Sequence, residues 1–211
     1  MSSPFSGSIS LPRTGLLLSD VQTILDFFRD QAARSRASKA DPASLYDDVP
    51  LIIHHALPFN LNSNAFVSPY NKLAKWVSKL EASGFFSKTS ADPHHPDFGI
   101  PATLTPPSGW GTKDEIVLGK LQPNCFASSD LLAYLRARGI RHIILVGLTT
   151  MGSILGSARA GADLDFDISL VEEAIIDDDP AIHEVLMTKV LPKFVDVVKM
   201  EDVLSLGTPA T

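Results

Sequence analysis

Residues 141–171 read RHIILVGLTTMGSILGSARAGADLDFDISLV, and this stretch decides the fold class. Residues 141–146 form an apolar run closed by Gly147, the pattern of a strand buried on both faces. Residues 150–162 predict a helix and 167–171 a second strand. Two strands joined by a helix within about 30 residues are a parallel β–α–β unit.

Working outward, the same alternation continues. Residues 15–18, ending at Ser19-Asp20, predict a first strand, and 21–36 a helix with Val21, Ile24, Leu25 and Phe28 at helical spacing. A strand over 49–54 is entered through Pro50. A helix then starts near Pro69, carries Leu73, Trp76, Val77 and Leu80 on one face and stops at Gly84. The Pro- and Gly-rich stretch 90–111 reads as a long loop. A third strand spans 115–118, and a helix over 128–138 is capped by Ser128 or Ser129 and stopped by Gly139. Beyond the central unit come a helix over 180–190, a strand over 194–198 and a short helix over 201–206. Six strands alternating with helices imply an α/β domain, a parallel sheet covered on both faces.

The chain has 211 residues, suited to one domain over 13–206 between tails at 1–12 and 207–211. Lys and Arg total 18 against 24 Asp and Glu, a net charge of −6 that argues against nucleic-acid or anionic-membrane partners. A single cysteine excludes an intrachain disulfide and suits a reducing compartment. Apolar runs such as 143–148 fall far short of the roughly 18 residues of a membrane span. The opening MSSPFSGSIS lacks the marks of a secretion signal, so a cytoplasmic location is expected.

In open parallel sheets the chemistry sits where the strands' carboxyl ends meet the loops. That rule singles out Asp20, the His54-His55 pair, Lys120 and the turn 147–153. Asp20 is either a helix N-cap or a paired functional carboxylate, and Lys120 either a solvated lysine or a cation of the site. In the GLTTMGS turn, amides at the helix start can stabilise an oxyanion, with Ser153 placed as nucleophile. The alternative is a plain turn capped by Thr150. The turn is not a GxSxG elbow, and neither GxGxxG nor GxxxxGK[ST] occurs, so no nucleotide cofactor is implied. Cys125 reads as a small core residue or as a thiolate lowered by Lys120. Adjacent histidines at 54–55 and 94–95 point to opposite faces of an extended chain, and no metal is expected. The run Asp177–Asp179 before Pro180 reads as a solvated helix start.

Four segments together carry a family likeness: TGLLLSDVQ (14–22), IVLGKLQPNCFASSDLLAYLRARGI (116–140), HIILVGLTTMGSILGSARAGADLDFDISLVEEA (142–174) and DDDPAIHEVLMTKVLP (177–192). In this order they resemble the isochorismatase-like hydrolase superfamily, which includes nicotinamidases and carbamoylsarcosine amidases. The resemblance implies a single three-layer α/β/α Rossmann-like domain with a six-stranded parallel sheet in the order 3-2-1-4-5-6. It implies a catalytic Asp-Lys-Cys set at Asp20, Lys120 and Ser153, with serine, native or a Cys replacement, where the amidases have cysteine. It implies also a cis peptide between Leu148 and Thr149 that turns the Thr149 and Ser153 amides toward an oxyanion. Phe126, His55 and Asn60, in loops after strands, and Trp110, in the long loop, are candidate substrate contacts. The expected function is hydrolysis of a small organic substrate, an amide or an isochorismate-type vinyl ether, without cofactor. The alternative is a non-catalytic relative that binds a small ligand or a partner. A homodimer or higher oligomer is expected, with the apolar loop 56–69 either forming an interface or folding back over its own pocket.

Overall fold

The computed structural model describes residues 14–18, 51–56, 68–82, 114–119, 122–127 and 129–206. Six strands are present among them: β1 (Thr14–Leu18), β2 (Leu51–Ala56), β3 (Glu115–Gly119), β4 (His142–Leu148), β5 (Asp167–Ile176) and β6 (Asp196–Val198). All pair in parallel, β1 with β2 and β4, β2 with β3, β4 with β5 and β5 with β6. The resulting order is β3-β2-β1-β4-β5-β6, with β1 and β4 side by side at the centre.

The helices follow the strands as the alternation requires. Helix α1 (Leu73–Ala82) starts four residues after Pro69, where the Asn71 side chain accepts from the Leu73 amide at 2.9 Å. Its Trp76 is 46% exposed, so that ring is not a core anchor. Helix α2 (Leu131–Ala137) is preceded by Ser129, whose hydroxyl accepts from the Leu131 amide, and is followed by Gly139 at φ +61°. After β4, one turn of wider π-type helix (Thr150–Ile154) runs into α3 (Leu155–Asp163). Helix α4 (Pro180–Val185) continues through Leu186–Lys193 to β6, and α5 (Met200–Ser205) follows. No helix among the described residues is long and apolar enough to cross a membrane.

Strand side chains alternate between faces, so a sheet covered on both sides needs apolar residues at every position. Leu51, Ile53, Ile143, Leu145, Ile168 and Leu170 share one face and join Leu131 and Leu135 of α2 and Ala158 of α3 in the main core. Ile52, Ile144, Val146, Val171 and Val198 point the other way and are buried as well. Small residues let α3 sit close: Ser157, Ala158 and Gly161 are its buried positions.

Strand β5 departs most from the sequence expectation. It does not stop at Val171 but bulges and resumes, so that Gly147 pairs with Ile175 and Leu148 with Ile176. The bulged residues serve the neighbouring helix start. Glu173 accepts from the Met200 amide at 2.9 Å, and Glu172 pairs with Lys199, whose ammonium pKa that hydrogen bond raises. The bulge also carries β5 up to the turn after β4, which places Asp177 beside the candidate site.

Candidate active site

Positive φ at Gly147 (119°) ends the apolar run of β4 in a conformation that favours glycine. The next peptide, Leu148–Thr149, is cis, as the family resemblance implies. The helix cap is Thr149 rather than Thr150: extended Thr149 accepts at Oγ1 from the Gly152 amide at 3.2 Å. A Cβ on Gly152 would lie 2.8 Å from that oxygen, so glycine lets the cap close. Thr150 is fully buried instead, its hydroxyl 2.7 Å from Nδ1 of His183 on α4. Ser153 therefore stands on the first helical turn at the carboxyl end of a central strand.

Its surroundings come from the segment that follows Lys120. The Ser153 hydroxyl donates to the Pro123 carbonyl at 3.0 Å, and Cys125 Sγ lies 3.9 Å from Ser153 Oγ. That segment is tied to α3 and α2 by polar contacts. The Cys125 amide donates to Ser157 Oγ at 2.9 Å, and Ser129 Oγ donates to the Cys125 carbonyl at 2.6 Å. Cys125 is 2% exposed and belongs to the core cluster. Phe126 turns its ring to Phe166, centroids 6.0 Å apart, and to Gly161 of α3. Its ring thus packs against α3 and Phe166, the residue before β5.

The other side of the turn is held by the segment after β5. Asp177 accepts from the Met151 amide at 2.7 Å through one carboxylate oxygen and from the Asp179 amide at 3.3 Å through the other. Burial alone would raise the Asp177 pKa, but the amides of Met151, Asp179 and Asp178 outweigh it and hold the carboxyl below its usual range. Asp179 is the solvated helix start the sequence suggests, its side chain accepting from the amides of Ala181 and Ile182. Asp177 joins that helix start to the candidate site, one oxygen on the Asp179 amide and the other on the Met151 amide. No local pattern marks it, since the signal is a strand end next to the central β4 turn.

The remaining sequence candidates divide. Asp20, Lys120, Asn60 and Trp110 lie outside the described residues, as do loop 57–67, the 21–36 helix and the His94-His95 pair. The described strands β1 and β3 end at Leu18 and Gly119, two residues and one residue before Asp20 and Lys120. His55 is not in a loop: β2 reaches Ala56, and His55 is its buried penultimate residue, in register with Leu118. His54 points to the opposite face and bonds Glu115 at 2.7 Å.

A family model described as the isochorismatase domain matches residues 53–202. An isochorismatase-family protein of Escherichia coli O157:H7 is 27% identical over 166 residues, covering 71% of this chain and 88% of its own. Maleamate amidohydrolase of Pseudomonas putida is 30% identical over 90 residues, 43% of this chain and 42% of its own. Among solved structures, a cysteine hydrolase from Pseudomonas syringae pv. phaseolicola superposes with a TM-score of 0.66 at 18% identity, covering 98% of both chains. With the parallel sheet and the serine-bearing turn after β4, these matches establish that the chain belongs to the isochorismatase family of hydrolases.

Proposed function

We propose that the chain hydrolyses a small organic substrate at a pocket built from Asp20, Lys120 and Ser153, within a three-layer α/β/α domain. What supports this reading is Ser153 on the first turn after a central strand, its hydroxyl 3.0 Å from the Pro123 carbonyl in the segment that follows Lys120. In an amide reaction the residue at 153 attacks the carbonyl carbon while Asp20 takes its proton and returns it to the leaving amine. Water then releases the acyl group. Lys120 keeps Asp20 ionised, and the Thr149 and Ser153 amides hold the oxyanion. His55, Asn60, Phe126 and Trp110 are the proposed substrate contacts, and the working form is a cytoplasmic homodimer or higher oligomer without cofactor.

A second reading has a specific observation behind it. The Ser153 proton is directed at a backbone carbonyl, and a serine hydroxyl is a far weaker acid than a thiol with a pKa of about 8.5. That favours a vinyl-ether substrate, with Asp20 as general acid and no covalent intermediate at 153.

One variant set separates the readings. Ser153→Cys is expected to form an acyl adduct at 153 with a suitable amide and to raise turnover about 100-fold, or about 2.7 kcal/mol of barrier. Adding Asp20→Asn removes the gain. Turnover of a vinyl ether by the serine form, unaffected by Ser153→Ala and abolished by Asp20→Asn, establishes acid catalysis. Inactivity of every form across a panel of amides and vinyl ethers overturns the hydrolase reading in favour of a ligand-binding relative.

A further inference from the structure

We propose that Asp177 and His183 are positioning residues that clamp the 149–153 turn from the β5–α4 side and set the direction in which Ser153 and the turn's amides face. Their role in a reaction rests on the reading above. The turn has little apolar anchorage of its own: Met151 is 56% exposed, Gly152 has no side chain, and Thr149 and Ser153 are half-buried. Of the residues from 149 to 153 only Thr150 is fully buried, and it is polar. Buried Ile154 anchors the far end of the turn, and polar contacts on two adjacent residues hold the part before it. The Met151 amide donates to the Asp177 carboxylate at 2.7 Å, and the Thr150 hydroxyl meets His183 Nδ1 at 2.7 Å.

Both partners come from one braced segment. Asp177 follows Ile176, which pairs with Leu148 in the sheet, and the second Asp177 oxygen is engaged by the Asp179 amide. Asp179 in turn caps α4, the helix that carries His183 and continues into buried Leu186 and Met187. A hydrogen bond to a carboxylate is roughly twice as strong as one between neutral groups. The same amides that hold the Asp177 carboxyl below its usual pKa range keep it in that ionised form. The two contacts grip successive residues, one at the backbone and one at a side chain. Together they oppose rotation of the turn as well as its lifting.

Amide hydrogen exchange on the full chain, followed residue by residue, tests the clamp without any substrate. Asp177→Ala should speed exchange at Met151 about tenfold, a loss of about 1.4 kcal/mol in local opening free energy, while β4 and 155–163 keep their rates. Asp177→Asn, which retains an acceptor, should restore most of the protection. His183→Leu should loosen the same turn, and His183→Asn, whose amide can stand in for Nδ1, should recover it. Unchanged Met151 exchange in Asp177→Ala, or an equal rise at every amide, overturns the clamp. On a hydrolysed substrate, Asp177→Ala should lower kcat about tenfold with KM within about twofold, the mark of interactions made in the transition state. A change confined to KM overturns the positioning role. If no form of the chain turns over any panel substrate, the hydrolase reading fails while the exchange result still decides the clamp.

Discussion

The thiol of Cys125 and the hydroxyl of Ser153 face each other at 3.9 Å, although 28 residues separate them in the chain. The cysteine therefore lies against the serine-bearing turn that follows β4. Burial gives it a different character. At 2% exposure, with its backbone held by Ser157 and Ser129, Cys125 packs as a core residue.

The first prediction concerns that thiol. Iodoacetamide should alkylate native Cys125 at least about 100-fold more slowly than the unfolded chain, because access limits the reaction. The Ser153→Cys thiol should react much faster, and peptide mass spectrometry tells the two apart. Labelling of native Cys125 at the rate of an unfolded thiol, together with loss of activity in Cys125→Ala, would make Cys125 the nucleophile.

Gly161 tests the packing behind the site. A Cβ there would run into Ile168 Cδ1 and meet Phe126 Cε2 at 3.2 Å. The isoleucine tip can rotate away, but the Phe126 ring is backed by Phe166. Gly161→Ala should destabilise the fold by about 1–3 kcal/mol despite alanine's better helix propensity. Urea unfolding measures the loss, and a gain in stability would show that the Phe126 segment yields freely.

The Arg138–Asp114 pair, 2.8 Å apart with both side chains 7% exposed, joins α2 to the residue before β3. Arg138→Met takes the guanidinium away from the buried Asp114 carboxylate and should cost about 3–5 kcal/mol. Adding Asp114→Asn should recover most of that, since the charge that Arg138 offsets is then gone. A double variant as unstable as the single one would place the loss in packing instead.

His142 sets an acid limit. Burial, against the opposing pull of Asp196, lowers its pKa to about 4, and its ring bonds Ser169 at 2.8 Å. The unfolded chain, with a histidine pKa near 6.5, binds the proton first as pH falls. Stability is therefore full above about pH 6.5 and falls between there and about pH 4, by about 3 kcal/mol in all. His142→Gln should flatten that part of the urea-midpoint profile. An unchanged slope would assign the pH dependence to other groups.

Local sequence was enough for the β4–turn–α3–β5 unit. An apolar run, a glycine and a small-residue helix leave a buried strand feeding a close-packed helix as the consistent reading, and that reading puts Ser153 on the first turn. The cap was not legible, because Thr149 and Thr150 offer the same hydroxyl and only the backbone angles at one residue choose between them. Nor was the reach of β5: its bulge depends on Glu172 and Glu173 finding the start of α5, a contact made nearly thirty residues later. Asp177 and Cys125 reach the serine-bearing turn only through tertiary packing, one by way of that bulge and one by way of the 122–127 segment laid along α3. Hydrophobic period is a property of neighbours in the chain, and it determined the strands and helices. Which polar groups meet at the site is a property of neighbours in space, and only the folded sheet decided it.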